Sequence, residues 1–105
     1  MESNPITRQG RVLVADNDTS FAQAFAQMLE LRGLEVVIAN SPDEVLRQIE
    51  RQEFDLLTLD LDWDDDDVNG IDILGRVRTL DPLLPVVMVT EHASIATAVE
   101  ATRLG

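Results

Sequence analysis

The segment Phe54-Asp55-Leu56-Leu57-Thr58-Leu59-Asp60 decides how this chain reads. It is a short, nearly continuous apolar run that ends in a carboxylate, which is the pattern of a strand buried on both faces. An earlier run, Arg11-Val12-Leu13-Val14-Ala15-Asp16, has the same form and is followed by Asn17 and Asp18. Leu34–Ala39 and Pro85–Thr90, with Val86-Val87-Met88-Val89 at its centre, read as two further strands. Between these runs the apolar period changes from continuous to helical. Asp18 or Thr19 can cap a helix reaching about Arg32, with Phe21, Phe25, Met28, Leu29 and Leu31 as its apolar positions and Gly33 as its stop. Ser41-Pro42-Asp43-Glu44 opens a second helix, with a capping serine, proline at the first position and glutamate at the third. Val45, Leu46 and Ile49 form its apolar face. Ile71–Leu80 carries Ile71, Leu74 and Val77 at helical spacing and stops before Asp81-Pro82; Ala93–Leu104 is a fourth helix.

The order is β-α-β-α-β-α-β-α, which predicts an α/β protein with a parallel sheet covered on both faces by helices. Right-handed crossovers favour a doubly wound arrangement, and ligands in such sheets bind beyond the carboxyl ends of the strands. Asp16, Asp60 and Thr90 all fall at such ends. If strands one and three are neighbours, Asp16, Asn17 and Asp60 converge. Two carboxylates about 4 Å apart repel by roughly 4 kcal/mol at an effective dielectric of 20, so a cation, a proton or a lysine must offset the repulsion. All eight basic residues are arginines, so lysine is absent. Mg²⁺ suits an oxygen-only donor set because it favours carboxylate and carbonyl oxygens and keeps several waters. The plainer alternative is that strand-end aspartates cap helices and hold turns.

Composition narrows the remaining classes. The chain has 105 residues, 45% of them hydrophobic, enough for one domain with a single core. Cysteine is absent, which excludes disulfides and thiolate metal sites and points to the cytoplasm. A formal net charge of −12 disfavours direct nucleic-acid binding, and no apolar stretch is long enough to span a bilayer. Residues 1–10 are polar and read as a flexible N-terminus before a domain at 11–105. No Ser-His-Asp arrangement, glycine-rich phosphate loop or histidine cluster supports a metabolic enzyme.

The segments Val12–Asp18, Phe54–Leu61, Asn69-Gly70 and Val86–Thr90, in that order, resemble the receiver domains of bacterial two-component response regulators. Ser94–Ala101 further resembles receivers that precede transcription-factor output domains. The resemblance implies a flavodoxin-like fold of about four βα units with strand order 2-1-3-4. It implies Asp60 as the acceptor of a phosphoryl group from a sensor histidine kinase, a signalling role and not an enzymatic one. It implies a Mg²⁺ site at Asp16, Asn17, Asp60 and Asp62, the last through its backbone carbonyl, and Thr90 as a hydrogen-bond donor to the phosphoryl group.

The chain departs from that pattern in four places. Asn17 stands where the family usually has a second acid. The family's lysine at the end of a fifth strand has no counterpart, and the chain stops at Gly105, so the domain reads as truncated before the fifth strand and helix. The fourth strand then becomes an edge, and a homodimer through that strand or through helix surfaces is expected. The loop after Asp60, Asp62-Trp63-Asp64-Asp65-Asp66-Asp67-Val68-Asn69-Gly70, is longer than usual; Trp63 either folds over the pocket or packs beside it, packing being the simpler reading. The alternative function is a pseudo-receiver that acts by protein contact without stable phosphorylation. Two smaller rivals concern this region. Asp65–Gly70 fits the opening of a calcium loop, but position twelve is Arg76 where glutamate is needed. His92 lies two residues after Thr90 and reads as a helix-start or surface residue.

Overall fold

The computed structural model describes residues 10–63, 69–89 and Arg103. It contains β1 (Arg11–Ala15), α1 (Thr19–Glu30), β2 (Glu35–Ala39), α2 (Pro42–Arg51), β3 (Leu56–Leu59), α3 (Gly70–Leu80) and β4 (Val86–Met88). The four strands form one parallel sheet in the order β2-β1-β3-β4. The doubly wound arrangement expected from the sequence is thus present. The expected helix at Ala93–Leu104 (Arg103 apart), residue Thr90, His92 and the N-terminal segment before Gly10 lie outside the described residues.

Side-chain alternation along each strand divides the interior into two clusters. Leu13 and Ala15 of β1, Ala39 of β2, and Leu57 and Leu59 of β3 face one way. They pack with Val45 of α2 and with Ile73, Leu74 and Val77 of α3, and Phe54 and Leu84 close the cluster. Val12 and Val14 face the other way and meet Ala22 of α1, with Phe25, Leu29, Leu34, Val36, Ile38 and Leu56 around them.

Three details differ from the sequence reading. The first concerns α1, which is rotated from the expected face. Ala22 and Ala26 are its buried residues, flanked by Phe25 and Leu29, whereas Phe21, Met28 and Leu31 are 42%, 50% and 88% exposed. Small side chains let the helix lie close to β1, and the bulkier residues are turned away. The second concerns α3, which buries Ile73 with Leu74 and Val77 while Ile71 is only half-buried. The third concerns α2. Ser41 caps it as expected, accepting from the Glu44 amide at 3.2 Å, but the Glu44 carboxylate bonds Arg47 and Gln48 instead of reaching back to the cap.

The other local signals appear as read. Asp18 caps α1 through its carboxylate, which accepts from the Phe21 amide at 3.1 Å. Gly33 terminates the turn after α1 with φ 86°, a left-handed conformation that glycine adopts without a Cβ penalty. Val45, Leu46 and Ile49 all join the α2 face of the core.

The close approach of α1 generates a stability test. Ala22→Leu should cost about 1–3 kcal/mol by forcing the helix off β1, whereas Leu31→Ala should change stability by no more than about 0.5 kcal/mol. Urea denaturation of both variants checks this; an Ala22→Leu protein as stable as its parent would contradict the packing.

Candidate functional site

The β1–β3 register creates the site. Ala15 is paired with Leu59 in the parallel ladder, so the next residues, Asp16 and Asp60, emerge side by side at the carboxyl edge. Asp60 donates its backbone N–H to the Ala15 carbonyl at 2.9 Å, which extends the pairing by one residue. The Asp16 N–H turns the other way, to the Ala39 carbonyl of β2 at 3.0 Å. Neighbouring parallel strands lie about 4.8 Å apart, which brings the two carboxylates into mutual range.

Each carboxylate is held by its own loop. Asp16 is only 7% exposed, and its Oδ1 accepts from the Asp18 amide at 2.9 Å. Asn40, just beyond β2, donates its side-chain N–H to the Asp16 carbonyl at 2.9 Å. Asp60 Oδ1 accepts from the Asp62 amide at 3.2 Å. Asn17 is half-buried in the turn after Asp16, and Asp62 is exposed in the loop after Asp60.

These surroundings alter the acidity of Asp60. Its pKa is raised from 3.8 to about 6, chiefly by burial and further by the neighbouring Asp16 through charge repulsion and a side-chain hydrogen bond. The Asp62 amide opposes the shift by stabilising the carboxylate, while the Asp62 charge adds a small push upward. Asp60 is therefore the group whose charge the fold resists, and a cation at this edge would relieve that resistance.

Among the described residues, no three His, Cys, Asp or Glu side chains come together as a ready-made cage. A cation here could draw on the Asp16 and Asp60 carboxylates, a loop carbonyl such as that of Asp62, and water. A few oxygen ligands completed by water suit Mg²⁺, which dehydrates reluctantly.

The α3 side of the site depends on a close backbone approach. Gly70 donates its N–H to the Leu61 carbonyl at 2.8 Å, and a Cβ at position 70 would stand 2.6 Å from the Leu61 Cα and would also overlap the Asp60 carbonyl oxygen. Only glycine fits there. Asn69 caps α3 in a reciprocal box with Asp72: the Asn69 side chain accepts from the Asp72 amide, and the Asp72 carboxylate accepts from the Asn69 amide. This box also removes the calcium-loop reading, because the residues that would close such a loop, including Asp72 and Arg76, are already helical.

Trp63 packs against the larger core cluster, as the simpler reading of this residue expected. Its second contact has no signal in the sequence: the indole Nε1–H donates to the Asp60 carbonyl at 2.7 Å. Asn40 was also missed, since an asparagine after a strand is an ordinary turn residue until its long-range partner is known.

With this geometry in place, the comparisons with known proteins are specific. The family profile of the response regulator receiver domain matches residues 12–105. The chain belongs to that family. Alginate biosynthesis transcriptional regulatory protein AlgB from Pseudomonas putida is 40% identical over 97 residues, covering 92% of this chain and 21% of that protein. The chain thus spans about a fifth of the length of that curated relative. A CheY-like receiver domain protein from Methanospirillum hungatei superposes with a TM-score of 0.86 at 33% identity, over 93% of this chain and 77% of that one. A Burkholderia pseudomallei response regulator, solved with a phosphorylated aspartic acid, a calcium ion and citrate, superposes with a TM-score of 0.85 at 33% identity, over 92% of this chain and 56% of that one.

The acidity of Asp60 sets the sign of a pH test. Its folded pKa lies above its unfolded value, so its contribution to stability is fully present below about pH 3.8 and is lost as pH rises towards about 6. In metal-free buffer, Asp60→Asn should remove this loss, leaving the variant more stable than the parent at pH 7 and closer to it at pH 4. Urea midpoints at the two pH values measure the difference; parallel pH dependences in the two proteins would refute the assignment.

Proposed function

We propose that the chain acts as a phosphoacceptor in two-component signal transduction, receiving a phosphoryl group from a sensor histidine kinase on Asp60. The observation that carries this reading is the Asp16–Asp60 carboxylate pair at the carboxyl edge of β1 and β3, in a chain whose family is that of receiver domains. In the transfer, a carboxylate oxygen of Asp60 attacks phosphorus and forms a P–O bond. The P–N bond of the kinase phosphohistidine breaks, its electron pair returns to the imidazole, and that nitrogen takes a proton from solvent. Asp60 must be ionised to attack, and a pKa of about 6 leaves it mostly ionised at neutral pH.

Mg²⁺, held by Asp16, Asp60 and the Asp62 carbonyl with Asn17 beside them, would neutralise the charge that accumulates as the acyl phosphate forms. The oxygen-only donor set and the unfavourable proximity of the two aspartates support that cofactor. Asn17 in place of an acid reduces the negative charge available to it. Thr90 is proposed as the hydrogen-bond donor to the phosphoryl oxygens; it follows Val89, whose N–H still bonds the Leu59 carbonyl at 3.0 Å. No lysine exists within residues 1–105 to share that role.

The reading extends to partners and location. The net charge of −12 supports contact with proteins over contact with nucleic acid. No helix among the described residues is long and apolar enough to cross a membrane, and a cytoplasmic location accords with kinase access. β4 is an edge among the described residues and Val87 on it is 49% exposed, which supports pairing with a second copy into a homodimer.

Two measurements test these statements. Incubation with Mg²⁺ and acetyl phosphate should add one phosphoryl group to the intact mass of the parent and none to Asp60→Ala. No Asp60-dependent gain would leave the pseudo-receiver reading, in which the fold acts by protein contact alone. Light scattering should show a dimer at high protein concentration, and a strict monomer would remove the edge-strand argument.

A further inference from the structure

Asp60 lies one residue beyond the β3 ladder, so its carbonyl oxygen has left the sheet. The group that takes it is the indole Nε1–H of Trp63, at 2.7 Å, from a residue three positions further along the loop. The same short segment contains the Asp62 amide that bonds Asp60 Oδ1 at 3.2 Å. Asp62 thus lies between the acceptor carboxylate and the residue that anchors the acceptor's own peptide group. The indole is itself held, because its ring packs against the core cluster that contains Leu59, Ile73 and Leu74. Gly70 also closes on the Asp60 carbonyl and the Leu61 Cα, leaving that peptide little room to rotate.

The segment from Asp60 to Asn69 carries six aspartates, Asp60, Asp62 and Asp64–Asp67, whose charges repel one another. Trp63 is half-buried and has a single polar handle: its ring packs with the core while its one donor binds the backbone at the site.

We propose that Trp63 is a positioning residue for Asp60, its indole N–H fixing the Asp60 peptide and thereby the Asp62 amide that bonds the acceptor carboxylate, together with the Asp62 carbonyl proposed above as a cation ligand. The proposal rests on the receiver reading for its functional consequence, but its structural content does not depend on phosphoryl transfer. Trp63 touches no reacting atom. It acts by setting the turn through which Asp62 reaches the Asp60 carboxylate and by keeping the loop carbonyl available to a cation.

The test uses the whole chain and the variant Trp63→Phe, which retains an aromatic ring and removes the donor. Mg²⁺ is titrated without any phosphodonor while the Asp62 amide is followed by NMR, and phosphorylation by acetyl phosphate is then measured by intact mass. Trp63→Phe should displace the Asp62 amide resonance, raise the Mg²⁺ concentration at half-saturation by about tenfold, and slow phosphorylation at low Mg²⁺ with recovery at saturating Mg²⁺. Leu46→Ala, which thins the same core cluster from α2, should lower stability without moving the half-saturation point. An unchanged Asp62 amide and unchanged half-saturation in Trp63→Phe would overturn the positioning role even if Asp60 is phosphorylated normally. If the parent takes up no phosphoryl group, the Asp62 amide and the Mg²⁺ titration still decide the role of Trp63, and only the receiver chemistry fails. Should Trp63→Phe not fold, the parent decides: the indole proton of this single tryptophan should exchange slowly with solvent, and rapid exchange would overturn the proposal.

Discussion

The parallel pairing of β1 with β3 is the constraint on which the rest of the molecule depends. It brings together two runs separated by about forty residues of sequence, and its register sets Ala15 against Leu59. A slip of one residue would reverse every side chain along the strand and dissolve both core clusters. The same slip would also separate Asp16 from Asp60. Core packing and the carboxylate pair are therefore enforced by one set of backbone hydrogen bonds, and the stability of the apolar interior holds two like charges closer than they would choose.

That enforced proximity explains the chemistry of the edge. Water would separate and solvate two free carboxylates; here Asp16 is almost wholly enclosed, and burial with repulsion raises the Asp60 pKa to about 6. The fold stores an electrostatic demand for positive charge at the carboxyl edge of β1 and β3. Hydrogen bonds from the Asp18 and Asp62 amides orient the two carboxylates without cancelling the demand. Asn40, Trp63 and Gly70 act one layer further out, on the backbone that delivers the carboxylates.

Much of this was legible from sequence because it rests on local signals. Continuous apolar runs marked four strands, Ser41-Pro42 and Asp18 marked helix starts, and Gly33 marked a stop, since each acts through its own backbone or its near neighbours. What failed was the rotation of α1. In a periodic count Phe21, Met28 and Leu31 weigh as much as Phe25 and Leu29, yet only the latter two pack on the sheet, and Ala22 and Ala26 are what it admits at closest range. Hydrophobicity ranked the residues by size, whereas packing selected them by fit. The Asn69–Asp72 capping box was present in the sequence and could have been found by its spacing.

The sequence by itself determined the order of strands and helices, the carboxylates at strand ends and the family to which the chain is similar, because periodicity, capping and motif order are properties of neighbouring residues. Tertiary structure alone decided that Asp16 and Asp60 stand side by side, that the acidity of Asp60 is altered, and that position 70 admits only glycine. It also decided that the indole of Trp63 serves the Asp60 carbonyl while its ring serves the core. Those facts depend on distances between chain segments, and such distances exist only after the sheet has assembled.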